Sequence, residues 1–221
     1  MLYVYAICDS PHTLAVRGLQ GAELAVTGDR GVFAAWSEHP HLRMEADETA
    51  LWEHERVVES LLEEGAVLPM RFGSLVRDRE ALSEMLRERR EEFEHGLDRV
   101  RGAVEIGVRA LVPREPAEVG AVPSDADRPG TAYMLARLNG EKRSAAIAAR
   151  IHEPLAALAR ASTPRRSSLA GSGNTAYLVD RDDVDPFRAT VEHLDETLGE
   201  ATIVCTGPWP PYSFTPEESS R

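Results

Sequence analysis

The residues with the most chemistry to offer stand together at Glu53-His54-Glu55. An imidazole between two carboxylates is the raw material of general acid–base catalysis or of a metal site. The surrounding spacing argues against both. A zinc-protease helix needs two histidines four positions apart, and position 58 is Val58. The stretch reads as helix, where adjacent side chains diverge by about 100° and do not converge on one point. A structural or surface-contact role is the expectation for the triplet.

Other candidates are weaker. His39-Pro40-His41 offers two imidazoles, yet no Cys or acid follows at ligand spacing, which fits a solvated turn. His12, His95, His152 and His193 are isolated. Gly171-Ser172-Gly173-Asn174 has the composition of part of a phosphate loop, but it precedes a strand pattern and reads as a turn. No GxSxG elbow, SxxK pair, kinase signature or Walker lysine is present, so neither a catalytic set nor a cofactor is expected.

Two apolar segments carry more information. In Leu68-Pro69-Met70-Arg71-Phe72-Gly73 an arginine interrupts an otherwise apolar run. It is either an edge-strand arginine paired with a local acid or an interface arginine flanked by Met70 and Phe72, residue types common in binding surfaces. Near the carboxyl end, Gly207-Pro208-Trp209-Pro210-Pro211-Tyr212-Ser213-Phe214 combines three prolines with three aromatics. Prolines fix φ and lack a donor, so an extended, polyproline-like arm is predicted. Trp209, Tyr212 and Phe214 then anchor it, with Trp209 and Tyr212 as pins across this chain's own domains or in a partner's groove.

The elements that must hold these residues follow from periodicity. Leu2 to Ile7 reads as a buried strand, and Gly28-Asp29-Arg30-Gly31 as the turn of a hairpin spanning Leu24 to Trp36. Asp47 caps a helix with Leu51, Val58, Leu61 and Leu62 on one face, and Gly65 closes it. Ala66 to Gly73 reads as a strand with Pro69 at an edge or bulge. Asp78 opens a second helix, running through Leu82, Met85, Leu86, Phe93, Leu97 and Val100 to Gly102, and Ala103 to Val112 returns as a strand. After a Pro- and Gly-rich connection at 113–130, a helical run spans Thr131 to Ala161, with Pro154 expected to kink or divide it. The strand Thr175 to Val179, a helix capped by Asp185 and ended by Gly199, and a last strand from Ala201 to Thr206 complete the pattern.

The fold class is therefore α+β with two domains. Each is a small antiparallel or mixed sheet with helices packed on it, of ferredoxin-like or modified ferredoxin-like kind. The domains are placed at 1–112 and 131–206, with an aromatic tail at 207–221. With 221 residues, a net charge of −12 and 28% charged residues, the chain has the composition of a soluble globular protein. Its acidity disfavours nucleic acid and anionic membranes as partners, and spots such as Arg89-Arg90 and Arg165-Arg166 do not change that. No run is apolar enough for a membrane span, and MLYVYAICDS reads as a strand rather than a signal peptide. Cys8 and Cys205 make no disulfide framework; both read as small buried hydrophobes in a reducing cytoplasm.

Seven blocks in order along nearly the whole chain resemble the gas vesicle protein F/L family, accessory proteins encoded beside the small hydrophobic shell protein. They are Tyr3 to Ile7, Trp52 to Val58, Leu68 to Gly73, Val104 to Arg109, Gly130 to Met134, Asn174 to Val179 and Thr206 to Phe214. The resemblance implies a cytoplasmic, non-enzymatic factor for gas vesicle formation, partnered by the shell protein and other accessory proteins. A chaperone or nucleation role and a component retained on the vesicle are both compatible with it. A small-ligand-binding protein or enzyme, with His54, Glu55 and Arg71 sharing a cleft, is the rival from another class. Trp52, His54, Pro69, Met70, Arg71, Phe72, Trp209, Pro210, Pro211, Tyr212 and Phe214 are the protein-interaction candidates.

Overall fold

The computed structural model describes residues 1–11, 15–39, 47–113, 129–165 and 172–216. His12, Pro40, His41, Arg166, Gly171 and the connection at 114–128 lie outside the described residues. The chain divides into two compact units, Met1–Glu105 with Pro208–Arg221, and Ile106–Gly207.

In the first unit five strands form one sheet: β1 (Leu2–Cys8), β2 (Leu24–Asp29), β3 (Val32–Glu38), β4 (Val67–Pro69) and β5 (Leu75–Val76). The order is β2-β3-β1-β4, with β5 also on β1 and every pair antiparallel. β1 is central and buried on both faces, which explains why its sequence is a continuous apolar run rather than an alternation. A register shift between Val4 and Ala6 leaves Tyr5 at a bulge, where its carbonyl accepts from Met70 N at 2.9 Å.

Three helices accompany this sheet: α1 (Glu48–Glu64), α2 (Arg79–Glu88) and α3 (Arg90–Val100). Asp47 and Asp78 are the expected N-caps; each carboxylate accepts from the backbone N–H three residues on, at 2.8 and 2.9 Å. The core of the unit joins Tyr3, Tyr5 and Ala6 to Val57, Val58 and Leu61 of α1 and to Val67. The helix expected from Asp78 to Gly102 breaks at Arg89 (φ −104°, ψ 17°). There the Arg89 guanidinium bonds Glu92 and lies 4.7 Å from the Phe93 ring centre. The strand expected to reach Gly73 stops at Pro69. Met70 to Gly73 form a turn instead, closed by Ser74 N–H on the Arg71 carbonyl at 3.1 Å, with Gly73 at φ +93°. β4 is at the sheet's end, where a proline costs no ladder bond.

The second unit holds β6 (Ala103–Leu111) from Ile106 onward, α4 (Pro129–Ala156), β7 (Ala161–Pro164), β8 (Ser172–Asp180), α5 (Val184–Leu198) and β9 (Thr202–Trp209) to Gly207. The sheet order is β7-β8-β6-β9. Ile147, Ile151 and Leu155 of α4 and Phe187 and Val191 of α5 close its core against Ile106, Val108, Tyr177 and Val179. Pro154 falls in the last turn of α4, and the chain then forms β7, a strand that the run to Ala161 concealed. Ala161 to Pro164 pair with Leu178 to Thr175, a partnership no local periodicity reports. Asp185 lies in the first turn of α5 and not at its cap, which is Asp183. Gly199 closes α5 in the left-handed region, φ +57°. No described helix is long and apolar enough to cross a membrane.

The β2–β3 hairpin is tighter than Gly28 to Gly31 implies, because Asp29 pairs with Val32 and only Arg30 and Gly31 turn. Both have positive φ, 49° and 81°, the geometry that favours Asn-Gly over Arg-Gly. Arg30→Asn is expected to raise stability by about 0.5–1 kcal/mol in urea denaturation at constant m. No gain, or a loss, would contradict this turn.

Candidate functional site

α1 turns His54 inward, and its side chain is 2% exposed. The imidazole stacks on Tyr5 at 5.7 Å between ring centres and meets Tyr3 and Phe72 edge-on at 5.7 and 5.8 Å. Burial among these rings lowers its pKa to about 4, so it is uncharged at neutral pH. Both nitrogens are nevertheless used: Nδ1 lies 2.8 Å from Tyr3 Oη, and Nε2 lies 3.1 Å from Tyr212 Oη.

The direction of this relay follows from its acidic end. The Glu55 carboxylate only accepts, so Tyr212 O–H donates to Glu55 Oε2 at 2.9 Å and its oxygen accepts from His54 Nε2–H. Nδ1 then accepts from Tyr3 O–H, whose oxygen takes the Gly73 N–H at 3.2 Å. Burial, with the Glu55 charge beside it, pushes the Tyr212 phenol far up. Burial also raises Glu55, against the lowering effect of the Tyr212 hydrogen bond. A parallel chain runs from Leu19 N–H to Tyr5 Oη at 2.7 Å, on to Ser37 Oγ at 2.7 Å and His39 Nε2 at 2.8 Å. Gly18 makes room for it, since a Cβ there would strike the Tyr5 hydroxyl.

The tail closes the same region. β9 carries Pro208 and Trp209 at the edge of its sheet, and Tyr212 to Phe214 then form a 3-10 turn, so the predicted extended arm is corrected there. Pro211 leads into the turn, and its carbonyl accepts Phe214 N–H at 3.0 Å. The turn aims Ser213 at Glu105, a carboxylate only 2% exposed, which accepts the Ser213 N–H at 2.7 Å and its O–H at 2.8 Å. Phe214 is buried under the Arg99 guanidinium, 5.6 Å from the ring centre. Pro210 and Pro211 are buried, whereas Trp209 is 41% exposed. Tyr212 and Phe214, with Ser213, therefore hold the tail on the first unit; Trp209, expected as a pin, is not one of its buried anchors.

The remaining candidates scatter. Pro69 is buried, Met70 and Phe72 half-buried, Arg71 exposed, and Trp52 is 63% exposed. Arg71 makes no ion pair among the described residues. It borders a cavity of about 20 Å³ with Leu68, Pro69, Met70, Arg89, Phe93, Thr215 and Pro216, room for about one water. Neither His54 nor Glu55 lines that cavity, so His54, Glu55 and Arg71 share no cleft there. Glu53 turns the other way and accepts Gln20 N–H at 2.9 Å. His54 and Glu55 do converge, but on the Tyr212 hydroxyl, which meets His54 Nε2 and donates to Glu55 Oε2. Tyr3, Glu105 and Ser213 were not singled out by sequence; the acid within the apolar Val104-Glu105-Ile106 run was the available signal. Among the described residues no group of three His, Cys, Asp or Glu is placed to hold a metal ion. Cys8 is buried with its thiol pushed up to about 12, and Cys205 is half-buried.

Residues 1–216 match the family model described as gas vesicle synthesis protein GvpL/GvpF. Gas vesicle protein F2 of Halobacterium salinarum is 31% identical over 221 residues, covering 96% of this chain and 91% of the relative. Gas vesicle protein L of a Streptomyces species is 30% identical over 184 residues, covering 73% and 66%. Crystal structures of gas vesicle protein GvpF share the fold. That from Anabaena sp. PCC7120 has a TM-score of 0.84 at 21% identity with 98% of both chains covered, and that from Microcystis aeruginosa 0.80 at 19% with 96% and 98% covered.

Two outcomes follow from the relay. The native state resists protonating His54 down to about pH 4, while the unfolded chain protonates near 6.5. Stability therefore falls as pH drops from 6.5 towards 4 and this contribution is flat below that. The loss is about 2 kcal/mol between pH 7 and pH 5. Raised Glu55 acts in the opposite sense, so urea unfolding of wild type against His54→Gln isolates the histidine part; equal pH slopes in the two would contradict it. Tyr212→Phe removes the shared hydroxyl and is expected to cost about 1–3 kcal/mol at pH 7. Unchanged stability would show that the hydroxyl is not the clamp.

Proposed function

The chain belongs to the GvpL/GvpF family of gas vesicle synthesis proteins, and from that membership we propose that it is a non-enzymatic assembly factor. It holds the apolar shell protein, or helps to nucleate it, in the cytoplasm where the gas vesicle forms, together with other accessory proteins. The observation that carries this reading is the match over residues 1–216. The site chemistry supports it from a different direction. His54 and Glu55, the residues best suited to acid–base work, are engaged by Tyr212, and a protein built this way is suited to binding rather than turnover.

An apolar subunit needs a soluble partner before it assembles, and an excess of negative charge keeps such a carrier in solution. We assign its contacts to Met70, Arg71 and Phe72 of the turn after β4, to the exposed Leu51 and Trp52 on α1, and to Trp209. His54, Pro69, Pro210, Pro211, Tyr212 and Phe214 serve these contacts by positioning the turn and the tail. The second unit is read as ferredoxin-like. Its β-α-β-β-α-β succession with strand order β7-β8-β6-β9 supports that.

Co-expression with the shell protein followed by affinity capture tests the reading. Shell protein is expected to be retained by this chain, and deletion of its gene is expected to abolish vesicles. No retention together with normal vesicles in the deletion strain would overturn it.

A further inference from the structure

Beside the Met70 turn, the first unit has an open groove of about 470 Å³. Met70, Leu75, Val76 and Met85 supply its apolar lining, and Glu88 and Glu92 stand at its helical wall. Leu75 is 37% exposed, and Met70, Val76 and Met85 are half-buried, so the apolar surface is reachable from solvent. Methionine side chains are flexible and polarizable, which lets such a surface repack around a guest.

The charge in the groove is not balanced. Arg89, the cation of this wall, is bonded through Nε and Nη2 to the two Glu92 oxygens at 2.7 and 2.9 Å. Arg87 on α2 is turned to Glu84 at 3.4 Å. Glu88 is exposed at the end of α2 and has no ion-pair partner among the described residues. The groove thus presents two methionines and two aliphatic side chains next to one uncompensated carboxylate.

We infer that this groove docks an apolar segment of the shell subunit that carries a lysine or arginine beside its apolar residues. The apolar side chains fill the space between Met70 and Met85, and the cation meets Glu88. This deepens the proposed function and rests on it, naming the surface and the chemistry of the segment that is held. A cation placed at the rim of an apolar contact adds selectivity and speeds encounter, and both effects weaken with salt.

Capture of co-expressed shell protein by the full chain is compared for wild type, Glu88→Gln and Glu88→Lys, with washes at low and high salt and a thermal melt of each variant. Retention is expected to fall about threefold in Glu88→Gln and about tenfold or more in Glu88→Lys. The melts are expected to be unchanged, and the salt dependence flatter in Glu88→Gln than in wild type. Should Glu88→Lys melt early, Glu88→Gln alone decides. Fifteen-residue peptides tiled across the shell subunit are then probed; the strongest binder is expected to contain Lys or Arg and to compete with the intact subunit. Undiminished capture by both variants, or a strongest binder with no basic residue, overturns the groove assignment and leaves the proposed function standing. Undiminished capture together with a smaller sedimenting species for Glu88→Lys than for wild type in analytical ultracentrifugation assigns the groove to a second copy of this chain and also overturns it. If wild type retains no shell protein, the proposed function fails first and takes this inference with it.

Discussion

A histidine kept uncharged among aromatic rings is the constraint on which the first unit depends. His54 loses nearly all its water to Tyr3, Tyr5 and Phe72, and a desolvated imidazole is tolerable only if both nitrogens find partners. One partner comes from the first strand of the chain and the other from the turn at Tyr212, 158 residues away. Removing either leaves a buried polar atom unsatisfied. The relay thus ties β1, α1, the turn after β4 and the tail into one structure, and Glu105 repeats the device with Ser213.

This arrangement explains why the chain returns to the first unit after completing the second. The segment from Pro208 onward belongs to the first unit, where Pro210, Pro211 and Phe214 are buried and Tyr212 and Ser213 are hydrogen-bonded. Prolines shorten the list of conformations the free segment visits, so less entropy is lost when it docks. Three separated stretches of sequence, around Tyr3, His54 and Tyr212, are therefore one site in space.

Much of this was legible in the residues, for local reasons. Asp47 and Asp78 were visible as caps because capping is a contact across three residues. β1 announced itself as an apolar run and Gly199 as a helix stop. What stayed hidden is non-local. β7 exists because Ala161 to Pro164 find a partner in β8, and nothing in their own composition demands a strand. The 3-10 turn at Tyr212 forms because its side chains have places to go, whereas proline content alone implies an extended arm. Glu53-His54-Glu55 was read as non-converging, and Glu53 does turn away; that His54 and Glu55 meet at a tyrosine hydroxyl from the far end of the chain could not be seen from helical geometry. The identity of the family was legible through the order of its blocks, several of which line this one relay.

The central claim is the protonation state and tautomer of His54, and the most direct measurement is the ring 15N–1H spectrum of the histidine-labelled protein followed from pH 7.5 to 5. The account predicts a His54 that stays neutral throughout, protonated on Nε2 alone, with its Nε2–H visible through slow exchange. A His54 that titrates near its ordinary value of about 6.5, or that carries its proton on Nδ1, would contradict the account.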